Sequence, residues 1–418
     1  MAYTDFIAAI DLGTSHMVGM VGTKNATGAL SIIAYEVENS GTCIRRGCVY
    51  NVKETASKIK RLILKLENKL GGTKIGQVYV GLGGQSLRSI EHTVCKVLGT
   101  EGVVTEEIID SLYQECKDYR PDMLTVLDVV SPSYFLDDKP ESNPVGVPCS
   151  RIEARYKLIV GRPSLKLNIV NSISEQAKIE IAGILVSPLA LGDVVLSDNE
   201  KDLGCALIGF GAGVTTISVY KGGKLASLSV VPFGGNLITK DITNLRVVES
   251  EAERLKITYG SAKADRDNDM TIQVSLADGM GLREIKLAEL NGVIEARMDE
   301  ILENVYARLE ATGLMSVLGA GIVITGGGAA LKNLPAVMSE RLKMEVRYSA
   351  VRKGVVASGD LVVASNPEYA VAVGLLAKGT KNCALYIPPK PEPKIEPVVE
   401  PEPTVEPTPE PEPVKDCL

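Results

Sequence analysis

The stretches AAIDLGTSHMVGMVG at residues 8–22 and CALIGFGAGVTTISVYKGG at residues 205–223 decide the fold, because each reads as the same unit. An apolar strand runs into a tight glycine-containing turn, and a second strand follows. A glycine stands two residues after Asp11 in the first copy and two after Gly209 in the second, about 198 residues downstream. A repeat at that distance predicts two similar α/β halves facing each other, with the cleft between them as the ligand site.

Working outward, residues 6–10 (FIAAI), 78–82 (VYVGL), 205–208 (CALI) and 321–324 (GIVI) read as buried strands. Val52, Ala56, Ile59, Ile63, Leu66 and Leu70 keep helical spacing and stop at Gly71-Gly72. Leu290, Ile294, Met298, Ile301, Val305 and Leu309 do the same up to Gly313, and Ser187-Pro188 predicts a third helix with Ser187 as its N-cap. Strands alternating with amphipathic helices predict an α/β body over about residues 4–385.

Composition narrows the function. The 418 residues are 45% hydrophobic and 23% charged, a soluble globular balance with room for two to four domains. Lys and Arg number 45 against 52 Asp and Glu, a formal charge of -7, so no nucleic-acid partner is expected. Eight scattered cysteines form no CxxC pair, and with only His16 and His92 beside them a structural zinc site is not expected. The N-terminus lacks a signal-peptide pattern, and no run of about 18 apolar residues occurs, which predicts a reducing, cytoplasmic setting and at most peripheral membrane contact. From Tyr386 onward lie 11 of the 21 prolines with eight acidic residues and three lysines, a composition that predicts a disordered, extended tether over 386–418.

A turn such as Asp11-Leu12-Gly13-Thr14-Ser15 presents successive backbone N–H groups, and glycine removes the Cβ that would keep a phosphate away. Either turn alone is equally an ordinary hairpin; two on opposed halves can grip one triphosphate from both sides. A third cluster, Gly326-Gly327-Gly328-Ala329, follows the strand at 321–325 and precedes a helix from about Leu334, which suits close approach of a base or ribose. Glu251, Glu253, Arg254 and Lys256 sit on a short helix ending at Tyr259-Gly260, where a solvated face is the plain reading.

Five segments, IDLGTS, IGFGAGVTTISVY, AERLKITYG, IVITGGGAALKNL and NPEYAVAVGLL, follow the order of the actin-like ATPase superfamily. Within it the chain resembles the bacterial cell-division family FtsA, in its Bacteroidetes type. The support is TEEIIDSLYQECKDY, LTVLDVVSPSYFLDD and NPVGVPCSRIEARYKLIV, which resemble that family's small inserted subdomain, and VVPFGGNLITKDI at 230–242. The resemblance implies a two-lobed actin-like (duplicated RNase H-like) fold with a small inserted α+β subdomain. It divides the chain into a first lobe at 1–83, the insert at 84–163, a return to the first lobe at 164–200, a second lobe at 201–366, a closing helix at 367–385 and the acidic tail at 386–418.

Position by position, the resemblance assigns Asp11, Gly13, Thr14 and Ser15 to the first phosphate loop, with His16 where the family often has Lys. Gly211, Ala212, Gly213 and Thr215 match the second loop, with Val214 where Thr is usual. Glu253 and Lys256 match the helix that contacts ribose and adenine, and Gly326, Gly327 and Gly328 match the adenosine loop. The implied cofactors are ATP and Mg²⁺, the metal held by phosphate oxygens and by Asp11 through water.

Two departures bear on chemistry. Gly209 and Thr216 stand where the superfamily places Asp, leaving Asp11 as the one carboxylate near the metal. Phosphoryl transfer is mostly positioning and electrostatics around the metal, so the expectation is an ATP-binding protein with very low ATPase activity; Asp202 or a water could instead fill the gap.

The family implies an adaptor that self-associates into protofilaments and joins FtsZ and other division proteins to the inner face of the cytoplasmic membrane at the division site. Family members attach through a C-terminal amphipathic helix. After Pro413 only Val414, Lys415, Asp416, Cys417 and Leu418 follow, too few and too polar for such a helix. The expectation is therefore a truncated chain, another mode of docking, or indirect recruitment. A small-molecule kinase of the same superfold would need a general base and a substrate pocket between the lobes. The sequence offers no candidate base in convincing context and the insert resembles no kinase domain, so this is the lesser alternative, beside another bacterial actin homologue for shape or pilus assembly.

Overall fold

In the computed structural model, which describes residues 5–99, 102–275, 281–357, 360, 365–385 and 408, the two quoted stretches form matching hairpins at the centres of two sheets. Ile7–Leu12 pairs antiparallel with His16–Lys24, which pairs with Leu30–Asn39, while Gln77–Leu82 and then Glu180–Val186 add in parallel on the other side. Cys205–Phe210 pairs antiparallel with Thr215–Lys221, which pairs with Lys224–Val231, while Ile322–Thr325 and then Val346–Tyr348 add in parallel. The two five-stranded sheets have one topology, so the duplication read from two turns extends to every strand of both sheets.

Central strands covered on both faces read as nearly continuous apolar runs. Ile7–Leu12 and Cys205–Phe210 are buried at all but one position each, Asp11 and Gly209. Val52–Lys69 covers the first sheet with Ile59, Leu62, Ile63 and Leu66, so closely that a Cβ on Gly19 would stand 2.8 Å from Leu66. Asn51 caps this helix by accepting from Glu54 N. Leu287–Glu310 packs on the second sheet through Leu290, Ile294, Met298, Ile301, Val305 and Leu309, and Gly313 takes the left-handed φ of 67° expected after it.

The expectation for Ser187 needs correction. The helix Ser187–Val195 begins one residue earlier, with Val186 at the N-cap and no side-chain cap bond; Ser187 is already in the first turn, and its hydroxyl borders the space beside Gly81 that the Asp11 carboxylate also borders.

Between the first lobe's strands lies a four-stranded antiparallel sheet of Arg88–Val97, Arg151–Gly161, Thr125–Leu136 and Lys139–Glu141, with the helix Glu106–Asp118 against it. It has its own core, including Leu112, Cys116, Ile152, Tyr156 and Leu158, separate from the cores of the two lobes. Among the described residues no helix is long and apolar enough to cross a membrane. The seven described cysteines are all free. The tether expected from Tyr386, with Cys417, lies outside the described residues except for Thr408.

Candidate functional site

Both hairpins reverse direction with four residues between the last pairs of their strands. Leu12 faces Met17 across Gly13-Thr14-Ser15-His16, and Phe210 faces Thr215 across Gly211-Ala212-Gly213-Val214. Glycine is required first in each turn: a Cβ on Gly13 would lie 2.4 Å from the His16 carbonyl, and one on Gly211 would lie 2.9 Å from that of Val214.

The carbonyls of both turns are drawn back onto their own lobes. In the first, Ser40 Oγ donates to Gly13 O at 2.7 Å and Ser40 N donates to Ser15 O at 2.9 Å. In the second, Gly235 N donates to Gly211 O at 3.0 Å and Asn236 N to Ala212 O at 2.8 Å. A trans peptide points its N–H opposite to its C=O. The N–H groups of Thr14, Ala212 and Gly213 are therefore turned away from the partners of those carbonyls, an anion-binding arrangement.

The turns also meet. A Cβ on Gly213 would stand 2.6 Å from Thr14 Oγ1, so the second turn closes on the first only because residue 213 has no side chain.

Asp11 lies on the strand just before the first turn, opposite Val18. Its carboxylate and the Ser187 hydroxyl share the space left by Gly81, where a Cβ would lie 3.1 Å from Asp11 Oδ1 and 2.5 Å from Ser187 Oγ. Burial pushes the Asp11 carboxyl up to about 6 against the pull of the Leu12 backbone hydrogen bond. The equivalent position in the second lobe is Gly209, paired with Thr216 and Thr325. Asp202 does not fill it: it sits on the helix Asp198–Leu203, before the opposite end of the strand Cys205–Phe210. Thr325 is 3% exposed, and its hydroxyl has no hydrogen-bond partner among the described residues. His16 holds Ser15, with Ser15 Oγ and His16 Nδ1 2.9 Å apart.

The remaining expected residues gather behind the second turn. Lys256 Nζ donates to Glu253 Oε2 at 2.6 Å, to Thr239 Oγ1 at 2.8 Å and to Gly235 O at 3.2 Å. Thr239 also donates to Glu253. The helix Glu249–Tyr259 is thereby tied to the helix Gly235–Ile242, whose N-terminus carries the turn. Glu251 and Arg254 pair with each other instead, with Arg254 exposed and Glu251 largely covered. Gly326, at φ 87°, and Gly328 pack on Phe210, where a Cβ on Gly326 would lie 2.5 Å from the Phe210 carbonyl. Val214 and Thr215 complete the second turn, Thr215 Oγ1 donating to Phe233 O at 2.9 Å.

Three features escaped the sequence reading. Gly234 sits where a Cβ would strike Gly211 O at 2.5 Å. Ser187 borders the same space beside Gly81 as Asp11. The short hairpin Ile44–Arg45 with Cys48–Val49 reaches both turns through Arg46 and Gly47.

Comparison with known proteins follows the same lines. The family profile described as Cell division protein FtsA matches residues 206–374. The Cell division protein FtsA of Porphyromonas gingivalis is 39% identical over 91% of this chain and 79% of its own length. The chain belongs to the FtsA family. The FtsA of Bacillus subtilis is 32% identical over 92% of this chain and 86% of its own. Among solved structures, the type IV pilus biogenesis complex PilM-PilN aligns over 88% of this chain and 97% of that one, with TM-score 0.61 and 16% identity. MreB5 of Spiroplasma citri bound to ADP aligns over 89% and 95%, with TM-score 0.51 and 15% identity. These likenesses make the fold of this FtsA-family chain actin-like.

Proposed function

We propose that this chain is an ATP-binding actin-like adaptor of cell division that self-assembles and links FtsZ to the cytoplasmic membrane and the division machinery, with very low ATP hydrolysis. The observation that carries the reading is the meeting of two glycine turns from opposed lobes, Thr14 against Gly213, with their carbonyls drawn back. A ligand held there would touch both lobes and favour their closed arrangement by its differential affinity. The fit is supported by the orphan hydroxyl of Thr325, a buried polar group beside Gly209.

Gly13, Thr14, Ser15 and His16 would hold the phosphates from one side, and Gly211, Ala212, Gly213, Val214 and Thr215 from the other. Glu253 and Lys256 would meet the ribose and adenine, and Gly326, Gly327 and Gly328 would line the base. Among the described residues no cluster of three or more His, Cys, Asp or Glu forms a cage for a metal. Mg²⁺ would then rest on phosphate oxygens and water, with Asp11 behind the water; bound, it neutralises phosphate charge. With Gly209 and Thr216 in place of carboxylates, nothing on the second lobe's strand pair orders that water by charge.

The partner half of the proposal draws on family membership, and protofilament formation also on likeness to MamK, whose solved form is a double helical filament (TM-score 0.51, 11% identity). Membrane contact is proposed as peripheral, at the inner face of the cytoplasmic membrane. One experiment tests the core: titration with MgATP gives saturable binding, while phosphate release stays far below the roughly 1 to 100 per second of ordinary kinases. Turnover in that range would overturn the adaptor reading. Capture of purified FtsZ by the immobilised chain tests the partner, and its absence would remove that link.

A further inference from the structure

We propose that Arg46 binds the terminal phosphate of a bound nucleoside triphosphate and so distinguishes it from a diphosphate. The inference rests on the nucleotide reading above and adds a residue from outside the two turns.

Arg45 pairs with Cys48, so Arg46 and Gly47 are the two tip residues of a tight hairpin. Their φ values, 49° and 71°, are both left-handed. Such a tip favours Asn-Gly or Asp-Gly, and an arginine in this conformation is strained. Strain of this kind persists where the surroundings fix it, and often where function uses it.

The surroundings here are the two turns. Gly47 N donates to Thr14 Oγ1 at 2.9 Å, and a Cβ on Gly213 would lie 2.9 Å from Arg46 Cα. The tip is wedged where the lobes touch. Glu253, Lys256 and Gly326–Gly328 lie behind the second turn on one lobe, so a nucleotide with its base there would run its phosphates toward Thr14 and Gly213, beside Arg46.

Charge points the same way. Lys256 is committed to Glu253, and the Arg45 guanidinium stacks on the Tyr50 ring at 3.8 Å. Arg46 is exposed, and its Nη1 donates to the neutral Gln85 at Oε1, 3.3 Å away. No carboxylate among the described residues forms an ion pair with it. A planar guanidinium without a counter-ion, beside backbone N–H groups, suits a phosphate bidentately.

The test is titration of the 418-residue chain with fluorescent ATP and ADP in the presence of Mg²⁺. Arg46→Ala should weaken ATP binding roughly tenfold or more and ADP binding far less. Arg46→Gly should lose the same discrimination while keeping or raising Tm, because glycine relieves the left-handed φ. Arg46→Lys should recover part of the ATP affinity, and Arg45→Ala should change neither nucleotide. An unchanged ratio of ATP to ADP affinity in Arg46→Gly overturns the assignment. If the unmodified chain binds neither nucleotide, the nucleotide reading itself has failed, a distinct outcome.

Discussion

Gly209 is the residue on which the proposed low hydrolysis turns. It stands where Asp11 stands in the other lobe, and a Cβ there would lie 2.7 Å from Thr216 Oγ1, so glycine at 209 and threonine at 216 fit each other sterically. Restoring a carboxylate therefore needs both changes. Gly209→Asp with Thr216→Ala should raise steady-state phosphate release about tenfold or more above the unmodified chain, the order of effect for one electrostatic group; Gly209→Asp alone should gain less and lower Tm. Gly213 supports the opposite prediction. Gly213→Val would press on Thr14 Oγ1 and Arg46 Cα, backbone and short side chain with little room to give. ATP affinity should then fall roughly tenfold or more by fluorescence titration.

At the scale of elements, the helix Val52–Lys69 is fixed to the strand Leu30–Asn39 by charge as well as by its apolar stripe. Glu38 accepts from Lys65 at 2.9 Å and from Arg61 at 2.6 Å, its side chain only 12% exposed. Lys65, aided by Arg61, holds the Glu38 carboxyl below the usual carboxylate range. A depressed folded value means stability fully present above the unfolded pKa of about 4.3 and lost as pH falls through the folded one. Glu38→Gln should cost about 1 kcal/mol in urea unfolding at pH 7, and the gap should close as pH falls toward 3. Long periodic elements such as this helix were legible because many residues vote for one face. The hairpin at 44–49 was not, since strands of two residues carry no period. Ser187 was misread because Ser-Pro looks the same whether serine caps a helix or begins it.

Across the whole molecule, repetition carried most of the legible information: two turns 198 residues apart predicted two similar α/β halves, and the two sheets share one topology. The site was legible as turns and glycines. Its contacts between distant segments were not, because spacing alone does not tell that Gly213 closes on Thr14. The return of the chain to its start is another such contact. After the helix Ala370–Lys378 the backbone runs back along the first sheet, where Cys383 N donates to Phe6 O at 2.7 Å and Gly76 N to Cys383 O at 2.9 Å. Thr380 N and Lys381 N both donate to the Tyr79 hydroxyl, at 3.0 and 2.9 Å, and Cys383 is fully buried. These bonds are between residues some 300 or more apart in sequence, so they join the first lobe's beginning to its end. A chain ending at Lys378 loses all of them, leaving the Phe6 carbonyl and the Gly76 N–H without these partners. At about 1 kcal/mol per bond, the loss is on the order of 3 to 5 kcal/mol. Compared with a chain ending at Leu385, it should unfold at a Tm lower by about 5 °C or more in calorimetry. Equal Tm values would mean that this segment adds nothing to the closure of the first lobe.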